Sequence, residues 1–410
     1  MAQARGPART ELALQAAPPG HDLAMAWRAL LLALCHAAGG VVLRNGTKDI
    51  TKGPAPRSGQ LADIRRFMRE ENSSKAQAWG CNLLKEVLGR DSPDTSENLE
   101  AFRAAADAIP SGEEAALTCI PFLGNLAVFN RPMTLLLNRT DAMKNTIEFL
   151  RGHVKDESAA RASNNIASMS TMPEIVPYVV RLGGIDVLFD YLEHWTKSAE
   201  AIQAVWAGLS DPSHGVEGAR AIADHGGHNK GIEYVLKKIK SYPPHFGKRE
   251  DTLTVRYESL QIVNGLLSND ASNEYARALL AGGLLQEITK TLKAEHDMRA
   301  ANSVCCHMLN ALFAHGNGKE VAPALLSSGI VGIINTAFTT FHDDYPMPWN
   351  GGTVGQFYPV IPECSETLAN LAGSVPEARQ EMKKVGVPQT LQKVRPAMKA
   401  LVKRLEVSLV

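Results

Sequence analysis

Several things that the sequence lacks narrow the classes of protein to consider. It has no net charge, because lysine plus arginine and aspartate plus glutamate both number 43. Nucleic-acid-binding domains usually carry a basic excess that neutralises phosphates, so no nucleic-acid partner is expected. Aromatic residues make up only 6% of the chain, and alanine and leucine recur at helical spacing, which argues against an all-β fold. The apolar fraction of 45% is nevertheless enough for a sizeable core.

The cysteines form no CxxC pair, and most of them lie inside apolar helical runs, at positions 35, 81, 119, 305, 306 and 364. This spacing predicts neither a disulfide framework nor a zinc site. We therefore expect buried free thiols in a reducing compartment, and a cytoplasmic protein without a bound metal.

Residues 1–59 are interpreted as a flexible amino-terminal tail with an apolar segment and a linker. Every residue from Ala29 to Leu43 is apolar or small except His36. A helix of this length rises about 22 Å and the hydrocarbon core is about 30 Å thick, so no integral membrane span is expected. Three interpretations of residues 25–43 stay open. They are an amphipathic helix, a signal peptide that begins at Met25 rather than Met1, and an organelle transit segment.

From about residue 60 a repeated pattern begins. An alanine-rich helix ends in asparagine followed by small and aliphatic residues, as around Asn125, Asn165, Asn264, Asn310 and Asn370. Between these copies a short helix ends in glycine and a longer apolar helix follows, with glycine at 183–184, 226–227, 282–283, 329 and 386. Glycine at a helix end adopts the left-handed conformation without a Cβ penalty, so the chain is predicted to turn there. Because no unit can cover its own apolar faces, the units must stack into one core.

These motifs resemble the armadillo repeat family. The resemblance rests on the glycine corner before an aliphatic helix, as in LAGGLLQEITKTL, and on later helices ending in GNLA, NNIA or ANLAG. It covers residues 60–410 and implies an all-α fold, a right-handed α-α superhelix of about seven to eight three-helix repeats. In this family the third helices line a concave groove that binds extended peptides or partner proteins.

The resemblance also implies which residues line the groove. The asparagine that clamps a partner's backbone in peptide-binding members is matched by Asn125, Asn165, Asn264, Asn310 and Asn370. Trp79 and Trp206 stand near the groove tryptophan of the family, with Trp206 offset by about two residues. Arg161, Arg256 and Arg299 lie early in third helices and would suit an acidic partner. The alternatives stay open: an asparagine near a helix end can bond to its own backbone, and an isolated arginine can simply be solvated.

An insert at residues 342–359, HDDYPMPWNGGTVGQFYP, interrupts the repeat. Loops of this length inside a compact array are uncommon and are often functional. Its aromatic residues are of the types that anchor interfaces, namely Tyr345, Trp349, Phe357 and Tyr358. They are candidates for a loop interface, or they fold back and cover the edge of the solenoid.

No catalytic arrangement is convincing. Asp224, His225 and His228 lie close together in sequence, but they flank a glycine corner. The pair Cys305-Cys306 next to a histidine invites a thiol-enzyme hypothesis, but adjacent side chains on a helix point about 100° apart. We therefore expect no enzyme activity, no cofactor and no small-molecule substrate.

The sequence thus favours a protein–protein interaction scaffold or adaptor that binds a peptide or protein partner along the groove. The alternative is a structural subunit of a larger cytoskeletal or ciliary assembly that docks through its loops and convex face. The fold alone does not distinguish them, because repeat proteins share a scaffold while their partners differ.

Overall fold

The computed structural model describes residues 61–88, 95–129, 134–135, 140–247, 254–342, 360–394 and 403–407, and in these ranges the regular structure is helical. The amino-terminal helices are α1 (Leu61–Glu70), α2 (Ser74–Val87), α3 (Ser96–Ala108), α4 (Glu113–Phe129), α5 (Ala142–Gly152), α6 (Glu157–Ala162) and α7 (Asn165–Met169). Only Ser163 and Asn164 separate α6 from α7, so the two act as one interrupted helix.

From Val176 onward the helices form regular triplets. The first triplet is α8 (Val176–Arg181), α9 (Gly184–His194) and α10 (Ala199–Ser213). The second is α11 (Val216–Ala223), α12 (Lys230–Ser241) and α13 (Val255–Ser268). The third is α14 (Glu274–Ala281), α15 (Leu284–Ala294) and α16 (Arg299–Leu312). The fourth is α17 (Gly318–Ser327), α18 (Ile330–Phe341) and α19 (Val360–Ser374). The helices α20 (Glu377–Lys384) and α21 (Val387–Lys393) follow.

The third helices form a continuous row. Each packs on the next along the chain, in the pairs α2 with α4, α4 with α7, α7 with α10, α10 with α13, α13 with α16 and α16 with α19. First and second helices lie outside this row and join neighbouring units. The result is the all-α superhelical solenoid expected from the repeated pattern.

Hydroxyl and carboxylate side chains begin several third helices. Ser73 accepts a hydrogen bond from the Ala76 backbone N–H at the start of α2, and Thr254 accepts one from Tyr257 N–H at the start of α13. Ser198 starts α10 in the same way. Such caps satisfy a backbone donor that the first helical turn leaves without a partner, which is worth about 1 kcal/mol.

The glycine corners have the predicted conformation. Gly183, Gly283, Gly329 and Gly386 stand directly before second helices with φ of 72°, 90°, 76° and 84°. A residue with a Cβ is strained in this left-handed region, so the glycines fix where the chain turns from a first helix into a second. The prediction is confirmed at these four corners. At the fifth, Gly226 and Gly227 are also left-handed, but Asn229, with φ of 57°, stands directly before α12.

Close packing of the third helices needs small residues at their contacts. In α13 every residue from Val255 to Leu267 is buried except Glu258. A Cβ added to Gly265 would lie 2.1 Å from Ser213 Oγ on α10. The two helices can therefore approach this closely only because position 265 has no side chain.

Two disulfide bonds join third helices at opposite ends of the row. Cys81 on α2 pairs with Cys119 on α4, and Cys306 on α16 pairs with Cys364 on α19, with Cα–Cα distances of 5.4 and 5.0 Å. The expectation of free thiols is wrong for these four residues, although Cys305 is free and buried. Stacking of successive units brings equivalent helix positions face to face, and a search for closely spaced cysteines does not detect such pairs. Since disulfides persist mainly in oxidising compartments, the argument for a reducing compartment no longer holds.

The predicted tail at residues 1–59 lies outside the described residues. None of the described helices is by itself long and apolar enough to cross a membrane. Among them, one bent pair, Arg299–Ser327 with Ile330–Phe341, has the length and the apolar composition of a membrane span.

Candidate partner-binding face

The third helices α16 and α19 each leave a narrow stripe of side chains accessible, whereas all five residues of α7 are buried. In α16 the side chains that are not buried are Arg299, His307, Asn310 and Ala311. In α19 they are Pro362, Glu363, Glu366, Asn370, Gly373 and Ser374. Spacings of three, four and seven residues place such positions on one side of a helix. We call the surface formed by these stripes on successive third helices the third-helix face.

A polar network crosses from α16 to α19 on this face. Asn310 Nδ2 donates hydrogen bonds to the Glu363 carbonyl oxygen at 2.9 Å and to Glu363 Oε2 at 3.1 Å. Asn310 Oδ1 accepts hydrogen bonds from Thr367 Oγ1 at 2.9 Å and from Asn370 Nδ2 at 3.4 Å. His307 Nδ1 lies 3.2 Å from Glu363 Oε2. The structure thus brings together Asn310 and Asn370, and their amides bond across helices rather than to their own turns.

A short segment from the carboxyl-terminal region lies on the same network. Arg404 Nη2 donates a hydrogen bond to Asn370 Oδ1 at 2.9 Å, and the guanidinium forms an ion pair with Glu366. The next residue, Leu405, is fully buried. A positively charged side chain therefore already occupies one end of the third-helix face.

Arg161 lies at the amino-terminal part of the face and is exposed. Its Nη2 atom lies 2.8 Å from Glu157 Oε1 and 3.0 Å from Glu200 Oε2, which links α6 to α10. The hydrogen bond from Arg161, followed by one from Ser198, lowers the pKa of the Glu157 carboxyl below its ordinary value. The positive charge of Arg161 is compensated by these carboxylates, so the argument that it recruits an acidic partner is weakened.

Three further predicted residues stay accessible in part. Trp79 is half-buried and packs edge-on against Phe67, with ring centroids 4.9 Å apart. Asn125 on α4 and Arg299 at the start of α16 are also half-buried. They remain candidates for partner contact, but the structure does not bring them into the Asn310 network.

Trp206 does not line the groove, and this prediction is wrong. Its side chain has 0% exposure. The indole Nε1 donates a hydrogen bond to the hydroxyl oxygen of Tyr242 at 3.0 Å. Burial raises the pKa of Tyr242 to about 12, which keeps the phenol neutral as an acceptor. Trp206 therefore faces the core and not the groove.

Arg256 is likewise a core residue rather than a groove residue, with 1% exposure. Its Nη1 atom donates hydrogen bonds to Glu287 Oε2 at 3.0 Å and Thr291 Oγ1 at 3.3 Å, and Nη2 donates to the Tyr242 carbonyl. Glu295 Oε1 lies 3.9 Å from Nε. The side chain points from α13 toward the second helix α15, and two carboxylates compensate its charge inside the protein.

Asn165 and Asn264 are also buried, at 3% and 1% exposure, which corrects their assignment to the groove surface. Asn165 Nδ2 donates to the Ala162 carbonyl oxygen at 2.9 Å and to Asn164 Oδ1 at 2.9 Å. Asn264 Oδ1 accepts no hydrogen bond from the described residues. The third helices around these two positions approach too closely to leave their amides accessible.

The insert aromatics Tyr345, Trp349, Phe357 and Tyr358 lie outside the described residues, so their interface role remains a prediction.

The corner that contains His225 and His228 forms polar contacts with neighbouring units. His225 Nδ1 lies 3.0 Å from Asp186 Oδ1, and His228 lies 3.4 Å from Asp224 and 2.7 Å from Glu274. Within the described residues no group of three or more histidine, cysteine, aspartate or glutamate side chains is arranged to hold a metal ion. These contacts join the corner to the units on either side.

The Cys305-Cys306-His307 run does not form a thiolate–imidazole pair. Cys306 is in a disulfide, and His307 lies against Glu363. Cys305 is fully buried, and burial raises its pKa, so its thiol stays protonated and poorly nucleophilic.

The outer side of the solenoid carries a groove between α15 and α17. At other junctions a second helix donates to the carboxyl end of a neighbouring first helix, as in Arg151 to Leu182 O at 2.7 Å and Lys240 to Gly282 O at 2.6 Å. No such bond joins α15 to α17 in the described part of the chain. A groove of about 670 Å³ lies there instead, and its lining includes Leu285, Thr289, Lys290, Lys293, Ala324 and Leu325.

Sequence reasoning missed Glu363, Glu366, Thr367 and Arg404. The first three precede Asn370 by seven, four and three residues, and this helical spacing could have placed them beside it. No sequence pattern indicates Arg404, because its position beside Asn370 depends on the path of the chain after α21.

No family model matches this chain, and no curated protein matches it. A solved structure from work on the interaction between cadherin and beta-catenin aligns with a TM-score of 0.53 and 12% identity, covering 86% of this chain and 83% of that one. A designed armadillo repeat protein in complex with the peptide (KR)4 aligns at 0.46 and 13% identity, covering 65% and 99%. The likeness with a TM-score of 0.53, together with the continuous row of third helices, shows an armadillo-like repeat fold.

Proposed function

We propose that this armadillo-like solenoid is a non-enzymatic scaffold or adaptor that binds an extended peptide or protein segment along its third-helix face. The observation that carries the proposal is the network of Asn310, Glu363, Thr367 and Asn370, which places amide donors and acceptors on an accessible surface between two third helices.

This surface suits an extended backbone. A peptide in extended conformation presents N–H and C=O groups that need partners when water is removed. An asparagine amide supplies both a donor and an acceptor. A ligand strand would exchange the contacts that Asn310 and Asn370 make to each other for contacts to its own backbone.

The likeness to the beta-catenin structure supports the same use of the fold, since that structure comes from work on an interaction with cadherin. Function inferred from a fold is analogy, so the proposal depends on the site residues. No cofactor, metal, nucleic acid or small-molecule substrate enters it, and residues 60–410 are the binding domain.

The test is selection of binding peptides from a displayed random library on the whole chain, followed by affinity measurement. The double variant Asn310→Ala/Asn370→Ala should weaken the selected peptides about tenfold or more, because each lost amide contact costs roughly 0.5–1.5 kcal/mol. Thr336→Ala/Thr339→Ala is the matched control, since among the described residues these exposed hydroxyls on α18 bond to their own helix. Equal affinities for the two variants would place binding elsewhere.

The outer groove between α15 and α17 favours a second candidate, a structural subunit of a larger cytoskeletal or ciliary assembly. Lys290 and Lys293 line it together with Leu285 and Leu325, so an acidic amphipathic helix would fit it. The aromatic residues of the 342–359 insert are proposed for the same mode of docking. Lys290→Glu/Lys293→Glu should abolish assembly in that case and leave peptide binding on the third-helix face unchanged.

A further inference from the structure

Arg404 reaches the third-helix face from a part of the chain distant in sequence. Its Nη2 atom donates to Asn370 Oδ1 at 2.9 Å, and its guanidinium pairs with Glu366. These are two acceptors on successive turns of α19, a carbonyl oxygen and a carboxylate. A planar guanidinium with several N–H donors matches such a set better than an ammonium group does.

The acceptors are held in position by the network behind them. Asn370 Nδ2 donates to Asn310 Oδ1 at 3.4 Å, which turns Asn370 Oδ1 toward the guanidinium. Asn310 is fixed in turn by Thr367 Oγ1 at 2.9 Å and by the Glu363 carbonyl oxygen at 2.9 Å. The orientation of the Asn370 amide is therefore set by neighbouring residues and does not depend on Arg404 alone.

We propose that Asn370 and Glu366 form an arginine-binding subsite and that Arg404 occupies it as an internal ligand. This inference rests on the proposed function and adds the ligand class and its regulation. The partner is an extended segment that contains an arginine, and it must displace residues 403–407 before it binds at this end of the face.

The internal contact is weak enough to be displaced. The side chains of Arg404 and Glu366 are 61% and 38% exposed, and exposed ion pairs are weakened by water and salt. Within residues 403–407 only Leu405 is buried. A tethered segment has an effective concentration near the millimolar range. With a dissociation constant of about 100 μM for its own contact with the subsite, it lowers the apparent affinity of a competing ligand roughly tenfold.

The experiment uses a fluorescein-labelled peptide LVKRLEV, the sequence of residues 401–407, and fluorescence polarisation with the full chain. The variant Arg404→Ala/Leu405→Ala vacates the subsite and should bind the peptide about tenfold more tightly than the unaltered chain does. Arg379→Ala removes an exposed arginine on α20 and is the charge-matched control, with no expected change. A peptide with citrulline in place of arginine should bind the vacated variant no more tightly than the unaltered chain, because citrulline lacks the positive charge.

Equal affinities for the unaltered chain and the vacated variant would overturn the inference, as would equal binding of the citrulline peptide. The single variant Arg404→Ala keeps the test valid where the double variant lowers the melting temperature. Adding Glu366→Gln to Arg404→Ala should remove the gained affinity. The proposed function is judged separately. If binding of the library peptides still depends on Asn310 and Asn370 while Arg404→Ala changes no affinity, the scaffold function is retained and the internal-ligand inference is rejected.

Discussion

Arg256 and Glu287 form an ion pair inside the solenoid, with Nη1 and Oε2 3.0 Å apart and side-chain exposures of 1% and 10%. The pair joins the third helix α13 to the second helix α15 of the following unit. Because Thr291 and the Tyr242 carbonyl also accept from the same guanidinium, the buried charge has several hydrogen bonds in addition to the ion pair. Arg256 therefore acts in the stability of the array and not in partner contact.

Replacing Arg256 by alanine should lower the free energy of unfolding by about 3–5 kcal/mol, because buried carboxylates lose their compensating charge. Arg161→Ala, at an exposed ion pair, should cost less than about 1 kcal/mol. Guanidinium unfolding followed by circular dichroism compares the two. A small, equal loss for both variants would contradict the account of Arg256.

Gly283→Val should destabilise the protein by more than about 1 kcal/mol, since valine is strained at a φ of 90°. Gly332→Ala is the control, because position 332 is helical and an added Cβ would meet no other described part of the protein within 4 Å. Alanine should be neutral or slightly stabilising there. Thermal and denaturant unfolding measure both. Unchanged stability of Gly283→Val would mean that the corner does not need glycine.

The thiols should differ in their response to alkylation. In the oxidised, unfolded protein Cys305 should react with iodoacetamide, and Cys306 and Cys364 should react only after reduction. Cys306→Ser/Cys364→Ser should cost about 2–4 kcal/mol of stability, because the crosslink limits the unfolded chain. Cys305→Ala is the matched control. Mass spectrometry of tryptic peptides provides the check, and free Cys306 in the oxidised protein would refute the pairing.

Glu157 predicts a pH dependence of stability. Its folded pKa is lowered from 4.5, first by the hydrogen bond from Arg161 and then by that from Ser198. A lowered pKa means that its stabilisation is present above the unfolded value and is lost as the pH falls through the folded value. The difference in stability between the unaltered chain and Glu157→Gln should therefore be largest at neutral pH and should shrink as the pH falls below the ordinary value of 4.5. It should stay below about 1 kcal/mol, because the group is exposed.

The matched control for this pH series is Glu217→Gln, at an exposed glutamate in the first turn of α11. This variant measures what the removal of one exposed carboxylate does to stability over the same pH range. A Glu157→Gln difference that grows on acidification would have the wrong sign for this ion pair.

The local features of the fold could be predicted from the sequence, and the relations between units could not. Gly283 and Gly329 mark corners because a left-handed backbone excludes most other residues, and that requirement can be recognised in a short stretch of sequence. Trp206 and Arg256 were misassigned because the direction of a side chain depends on how a helix is rotated against its neighbours. A one- or two-residue offset is enough to move a side chain from the groove to the core.

The dependence on packing between units also explains which parts of the candidate site could be predicted. Asn310 and Asn370 were identified as groove residues by their place in the repeat. Their contact, the disulfide between Cys306 and Cys364, and the approach of Arg404 all depend on which units stack. These contacts span 34 to 60 residues of sequence. The sequence alone contains no local pattern for contacts of that range.

Site-specific photocrosslinking tests the central claim most directly. A benzoylphenylalanine at Ala311, on the third-helix face, is compared with one at Ser328, beside the outer groove between α15 and α17, using a bound peptide from the library selection. The account predicts crosslinks from position 311 and none from position 328. Crosslinks from position 328 alone would contradict it and would place the partner on the outer side of the solenoid.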